Sequence, residues 1–132
     1  MAFYKRIKAL QEPFDGGLDD KQRSKVQFNI LATKAPSATF LEEIVAYLES
    51  LGVVSGNVFV STRASIPSGE GPYLSIVETG GTGSITEQNS DSPAFQRPGA
   101  QIVARAGDYV AARTLARAAY DALVRVKNQT LT

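Results

Sequence analysis

Gln101-Ile102-Val103-Ala104-Arg105, then Asp108, then the run from Tyr109 to about Val126, is the stretch on which the fold turns. The first five residues read as a strand. Asp108 reads as a helix N-cap, because a short carboxylate can accept from the unpaired N–H groups of a first helical turn. Beyond it Tyr109, Ala112, Leu115, Ala116, Ala119, Tyr120 and Leu123 form an apolar stripe at helical spacing. A helix with one apolar stripe must bury it against another element, here a sheet.

Working outward, residues 79–99 are rich in Gly, Pro, Ser, Thr and amides and predict a loop of about twenty residues, a length that is usually functional or disordered. Tyr73 to Glu78 predicts a strand with Leu74 and Ile76 facing one way. Residues 61–72 read as a loop and Val58-Phe59-Val60 as a short strand. Thr39 with Glu42 fits a capping box for a helix that places Leu41, Ile44, Val45, Leu48 and Leu51 on one side. Gly52 supplies its left-handed stop. Val26-Gln27-Phe28-Asn29-Ile30 alternates as a strand, and Ala35-Pro36-Ser37 ends that unit. Phe3 to Leu10 also alternates, with Phe3, Ile7 and Ala9 on one side and Tyr4, Arg6 and Lys8 on the other. Pro13, Asp15, Gly16, Gly17, Asp19 and Asp20 predict a loop between these two strands. The order is β, β, α, β, β, β, α. It predicts an α+β fold: a single mostly antiparallel sheet of about five strands packed against two helices.

The chain of 132 residues has the length of one domain. Fourteen basic and 13 acidic residues leave a formal charge of +1, without the basic excess of a dedicated nucleic-acid binder, so DNA contact is expected to be incidental. No apolar run approaches the roughly 18 residues that span a bilayer, and the first residues lack the apolar core of a signal peptide. Cysteine and histidine are both absent. That excludes disulfides, thiolate nucleophiles, imidazole bases and the common zinc ligands. Carboxylates and lysines could still act, but Glu42, Glu43, Glu70, Glu78 and Glu87 show no spacing that implies paired acid–base work. No catalytic residue, cofactor or metal is expected.

Thr79-Gly80-Gly81-Thr82-Gly83-Ser84 follows a strand as a phosphate loop would, yet no lysine follows it and Thr86 stands where a dinucleotide fingerprint needs its third glycine. A mobile loop is the plainer reading. Asp15, Asp19 and Asp20 lack the spacing of a calcium loop and read as solvated turn residues. Arg105, Arg113, Arg117 and Arg125 lie on or beside the second helix. Arg113 and Arg117 share a face, either simply solvated or facing a neighbouring subunit or DNA.

Tyr73 to Leu123 resembles the tail-terminator or minor capsid (neck) proteins of long-tailed bacteriophages. The resemblance rests on Leu74-Ser75-Ile76-Val77-Glu78-Thr79-Gly80-Gly81, Phe95-Gln96-Arg97-Pro98, Gln101-Ile102-Val103-Ala104-Arg105, Asp108-Tyr109 and Ala119-Tyr120-Asp121-Ala122-Leu123. The helix from Thr39 to Gly52 is similar to that family's opening helix. Tyr4 to Asp15, then Leu18-Asp19-Asp20, Arg23 and Phe28-Asn29-Ile30, is similar to what the family carries at its end, after a segment like Asn128 to Thr132. The order therefore reads as circularly permuted, with Thr33 to Pro36 as an exposed join; the alternative is a native hairpin before the first helix. The resemblance implies a non-enzymatic virion protein, present in host cytoplasm during assembly, that packs into a homo-oligomeric, hexameric ring against tail-tube and neck proteins. Gly80, Gly81, Phe95, Arg97, Arg113 and Arg117 are the residues expected to meet partners. The alternative is a small-ligand or regulatory domain that uses the glycine-rich loop 79–84.

Overall fold

The structure, a computed structural model, describes residues 3–19, 21–37, 39–54, 57–60, 69, 71–86 and 93–131, with only the backbone for 82–86, 93 and 94. The chain runs β1 (Phe3–Ala9), β2 (Phe14–Leu18), β3 (Ser24–Lys34), α1 (Phe40–Ser50), β4 (Val58–Val60), β5 (Tyr73–Glu78), β6 (Thr82–Thr86), β7 (Pro93–Arg97), β8 (Gly99–Ala106), α2 (Tyr109–Val124) and β9 (Lys127–Thr130). It is α+β, with two helices and a mixed sheet ordered β4-β5-β8-β3-β1-β9. Among the described residues only the β4–β5 pair is parallel.

The eleven-residue β3 is the spine. Val26, Phe28, Ile30, Ala32 and Lys34 are buried, while the residues between them are half-buried on the opposite face. That is the alternation a strand imposes when helices cover one face. Register aligns Phe28 with Ile102, Ile102 with Ile76, and Ile76 with Val60, so one apolar row crosses four strands. The buried face of α2 is mostly alanine (Ala112, Ala116, Ala119 and Ala122, with Leu115 and Leu123). Small side chains let the helix approach β3 and β8 closely. Tyr120 meets Phe28 edge to face at 5.5 Å. Tyr47 of α1 donates its hydroxyl to the Ala122 carbonyl, which ties the two helices side by side.

Helix ends follow local chemistry. Asp108 accepts from the Val110 N–H and caps α2 as the sequence predicts. Gly52, at φ +74°, donates to Glu49 O while Val53 donates to Leu48 O; this pair of bonds closes α1 in a Schellman motif. The expected Thr39–Glu42 capping box does not form. Thr39 makes no side-chain cap bond, and its hydroxyl donates instead to Glu43, one residue further on.

Other expectations need correction. The sheet is larger than about five strands, because three segments read as loop or tail pair as strands. Phe14–Leu18 pairs with β3 despite two glycines, through a register shift between Asp15 and Gly17. The described parts of 79–99 are not a loop: β6 and β7 form a hairpin, with Thr82 opposite Arg97 and Ile85 opposite Phe95, and residues 87–92 lie outside the described residues. Lys127–Thr130 pairs with β1. Within β1, a register shift between Tyr4 and Arg6 resets the alternation. Tyr4 therefore turns inward with Ile7, and Phe3 is exposed. Tyr109, expected on the buried stripe of α2, is 38% exposed, since it sits at the first helical position beyond the reach of the sheet. Leu51 is 53% exposed for the same reason at the last turn of α1.

Phe28→Ala should remove the edge-to-face contact and open a cavity at the centre of the core, destabilising the fold by about 3–5 kcal/mol. Urea unfolding with an unchanged m-value would check this.

Candidate interaction surface

Two polar clusters hold the ends of β3. At its C-terminal end Lys34 is completely buried. Its Nζ donates to Ala35 O at 2.9 Å and Ser37 Oγ at 2.6 Å, and stands 3.5 Å from Glu43 Oε1. The Glu43 carboxylate accepts from Tyr4 at 2.7 Å, Ser37 at 2.7 Å and Thr39 at 2.8 Å. Burial by itself would raise the Glu43 pKa. The three hydroxyl donors and Lys34 outweigh it and hold the carboxyl below its ordinary 4.5. Burial, then the bond to Glu43 and its charge, pushes the Tyr4 hydroxyl above the usual tyrosine range.

A serine 2.6 Å from a buried lysine has the spacing of a nucleophile and its base. The proton directions are wrong for that role. Lys34 donates to Ser37, and Ser37 donates onward to Glu43, so the hydroxyl proton is directed at the carboxylate and not at the amine. The cluster is a tie between β1, β3, residues 35–37 and α1.

At the other end Asp19 closes the turn before β3. Its Oδ1 accepts from the Lys21 and Arg23 N–H groups, and its Oδ2 meets Arg23 Nε at 2.8 Å and Arg105 Nε at 3.6 Å. Arg23 also donates to Gly69 O and stacks over Tyr73, and Arg105 donates to Ser75 Oγ at 2.6 Å. Burial would raise the Asp19 pKa, but these bonds outweigh it and the direction is down from 3.8. The expectation of solvated turn residues fails in part at each: Asp15 is exposed and accepts from Gly17 but lies on β2, and Asp19 closes a turn but its side chain is only 6% exposed. Asp20 lies outside the described residues. Arg105 belongs to this cluster on β8 and not to the second helix.

The residues expected to meet partners fall in two groups, one around the β5–β6 turn and β7 and one on α2. Gly80 (φ +89°) and Gly81 (φ +66°) form the β5–β6 turn. A Cβ on Gly81 would collide with the Arg97 carbonyl and lie 2.6 Å from Gly99 N, so this glycine lets the β5–β6 turn pack directly on the backbone of residues 97–99. Phe95 and Arg97 sit on β7, where Lys5 lies over the Phe95 ring. Arg113 and Arg117 share the exposed face of α2 beside Tyr109 and Val110. Arg117 is already paired with Glu12 at 2.7 Å and Asp121 at 3.3 Å.

Sequence reasoning did not single out two surface depressions. One, of about 350 Å³, is lined by Lys5, Arg6, Lys8 and Arg97 around Leu31 and Thr33. The other, of about 570 Å³, is lined by Glu42, Val45, Ala46, Glu49, Ser50 and Val60. The run Lys5-Arg6-Ile7-Lys8 was the available signal for the first, but only the β3 and β7 pairings bring Leu31 and Arg97 beside it. Among the described residues, no cluster of acidic side chains could hold a metal, and no helix is long and apolar enough to cross a membrane. Compared with known proteins, the chain matches no family model, no curated protein and no solved structure.

Glu43 and Asp19 both have depressed folded-state pKa values. Their stabilisation is therefore complete above the ordinary carboxylate range and is lost as pH falls through the depressed values. Glu43→Gln should lower stability at neutral pH by about 3 kcal/mol, by leaving Lys34 without its anion, and should flatten the acid limb of a plot of melting temperature against pH. Gly81→Ala should destabilise more than Gly80→Ala, whose added Cβ meets nothing within 4 Å. Paired denaturation curves would show the order.

Proposed function

We propose that this chain is a non-enzymatic structural subunit of a phage tail terminator or head–tail joining ring, working in the virion by packing against copies of itself and against tail-tube and neck proteins. The observation that carries the proposal is the open sheet. Among the described residues β4 pairs only with β5, and β9 only with β1, so each edge presents unpaired backbone groups. Such edges suit pairing with a neighbour. Head-to-tail contacts at two different edges close into a ring when the rotation allows.

The sequence resemblance supplies the specific setting, and the topology supports its permuted order. Phe3 stands opposite Thr130 on antiparallel neighbours. Joining Thr132 to Met1 would make β9 and β1 a hairpin with a loop of four residues, 131, 132, 1 and 2, an ordinary length. Val26–Ile30 pairs directly with Ala100–Ala104, as the permuted order requires. The join needs correction: Thr33–Pro36 is not an exposed connector, because β3 continues through Lys34, which is buried, and Ala35 donates to Phe3 O. Pro36 is the exposed residue of the four.

Light scattering on fractionated protein should reveal a concentration-dependent closed oligomer, alone or on addition of tail-tube protein. A strict monomer under both conditions would refute the ring. A re-cut chain starting at Ser37, with Thr132 joined to Ala2 and ending at Pro36, should keep the circular dichroism spectrum and the same oligomer. It should melt lower, because its new ends fall inside the Lys34–Ser37 tie.

A further inference from the structure

We infer that the basic depression on β1, β3 and β7 and the acidic depression on α1 and β4 are the two halves of one contact between successive copies of the chain. The inference rests on the ring reading and names the surfaces that would build it.

The basic half exposes Lys5, Arg6 and Lys8, with half-buried Arg97 as one wall and no carboxylate among its lining residues. Arg6 and Lys8 alternate along β1 with Ile7 and Ala9, which point to the core, so both cations leave the opposite face. Lys127 of β9 stands opposite Arg6 and adds a further positive charge at this edge. The acidic half carries Glu42 and Glu49, about two turns apart on the exposed side of α1, with no cation among its lining residues. Ala46, Val45 and Val60 give it an apolar floor. Among the described residues, none of Lys5, Arg6, Lys8, Glu42 or Glu49 makes an ion pair within the chain.

These charges cannot satisfy one another inside one molecule. The sheet lies between them: Arg6 and Lys8 leave the face that the helices do not cover, whereas Glu42 and Glu49 stand on the exposed side of α1, which packs on the other face. A second copy brings them together, and because the two patches differ, the contact is heterologous and can propagate around a ring. Opposite charges then set the register and reject the head-to-head arrangement, where like charges would meet. A nucleic acid would use only the basic half and would leave the acidic, apolar half without a role. The overall charge of +1 also gives no general attraction to a polyanion.

The test uses two double reversals on exposed side chains, Arg6→Glu with Lys8→Glu, and Glu42→Lys with Glu49→Lys. Folding of each is checked by circular dichroism, with Arg6→Gln/Lys8→Gln and Glu42→Gln/Glu49→Gln as milder substitutes if a reversal fails to fold. Assembly is followed by sedimentation at low ionic strength. Each reversal alone should weaken association by about tenfold or more, and an equimolar mixture of the two should regain it. Higher salt should weaken the wild-type oligomer. If the wild type assembles and both reversals assemble equally well, the contact is wrong and the ring reading stands. A mixture of folded variants that stays apart also overturns it. If the wild type never assembles, the ring reading itself falls and takes the contact with it. Duplex DNA bound by the wild type and released by Arg6→Glu/Lys8→Glu, with assembly unchanged, would assign the basic half to nucleic acid and overturn the proposal.

Discussion

Strand β3 is hydrogen-bonded along both edges, to β8 and then β7 on one side, and to β2 and then β1 on the other. Nearly every other element takes its place from it. The helices cover the face that holds Val26, Phe28 and Ile30, and the strands beyond β8 and β1 carry the sheet to its two open edges. A central strand with partners on both sides leaves its backbone fully paired, which a buried strand requires. It also commits its side-chain alternation, because a slip of one residue would turn the whole apolar set outward.

Polar groups finish what that pairing begins. Lys34 continues the buried face of β3 into a region where an unpaired ammonium would be costly, and Glu43, Ser37 and two carbonyl oxygens answer it. Asp19 does the same at the opposite end for Arg23 and Arg105. Breaking either cluster would leave a charge buried alone, so both act more as constraints on register and turn geometry than as sources of net stability. They also fix where β1 and the start of α1 sit. In consequence they fix the outward cluster of Lys5, Arg6 and Lys8 on one face of the sheet and the α1 carboxylates over the other.

Much of the architecture was legible in the residues. The helices, β5, β8 and the middle of β3 announce themselves through uninterrupted periodicity and, for α2, through Asp108. The strands that escaped notice share a physical cause. Phe14–Leu18 has two glycines, Thr82–Thr86 is polar apart from Ile85 and a glycine, Pro93–Arg97 begins with proline, and Lys127–Thr130 is wholly polar, so none offers an apolar alternation to detect. Each is a strand because a neighbour offers backbone partners. The bulge in β1 is equally silent, since Phe3 and Tyr4 are both apolar enough to face the core and only the pairing with β3 chooses Tyr4.

By itself the sequence determined the class of fold, the two helices with the Asp108 cap and the Gly52 stop, the alternating core strand, and the absence of thiol and imidazole chemistry. Those properties depend on side-chain type and on spacing within one segment, which are written locally. Tertiary structure alone decided that Asp19 and Lys34 are buried, that Gly81 is packed against backbone, and that the two ends of the chain lie on adjacent strands. It also decided that Arg97 joins a basic edge that β1 begins, while Glu42 and Glu49 mark the other side. Burial and electrostatic environment arise from residues far apart in the chain, and no local pattern records which of them the sheet will bring together.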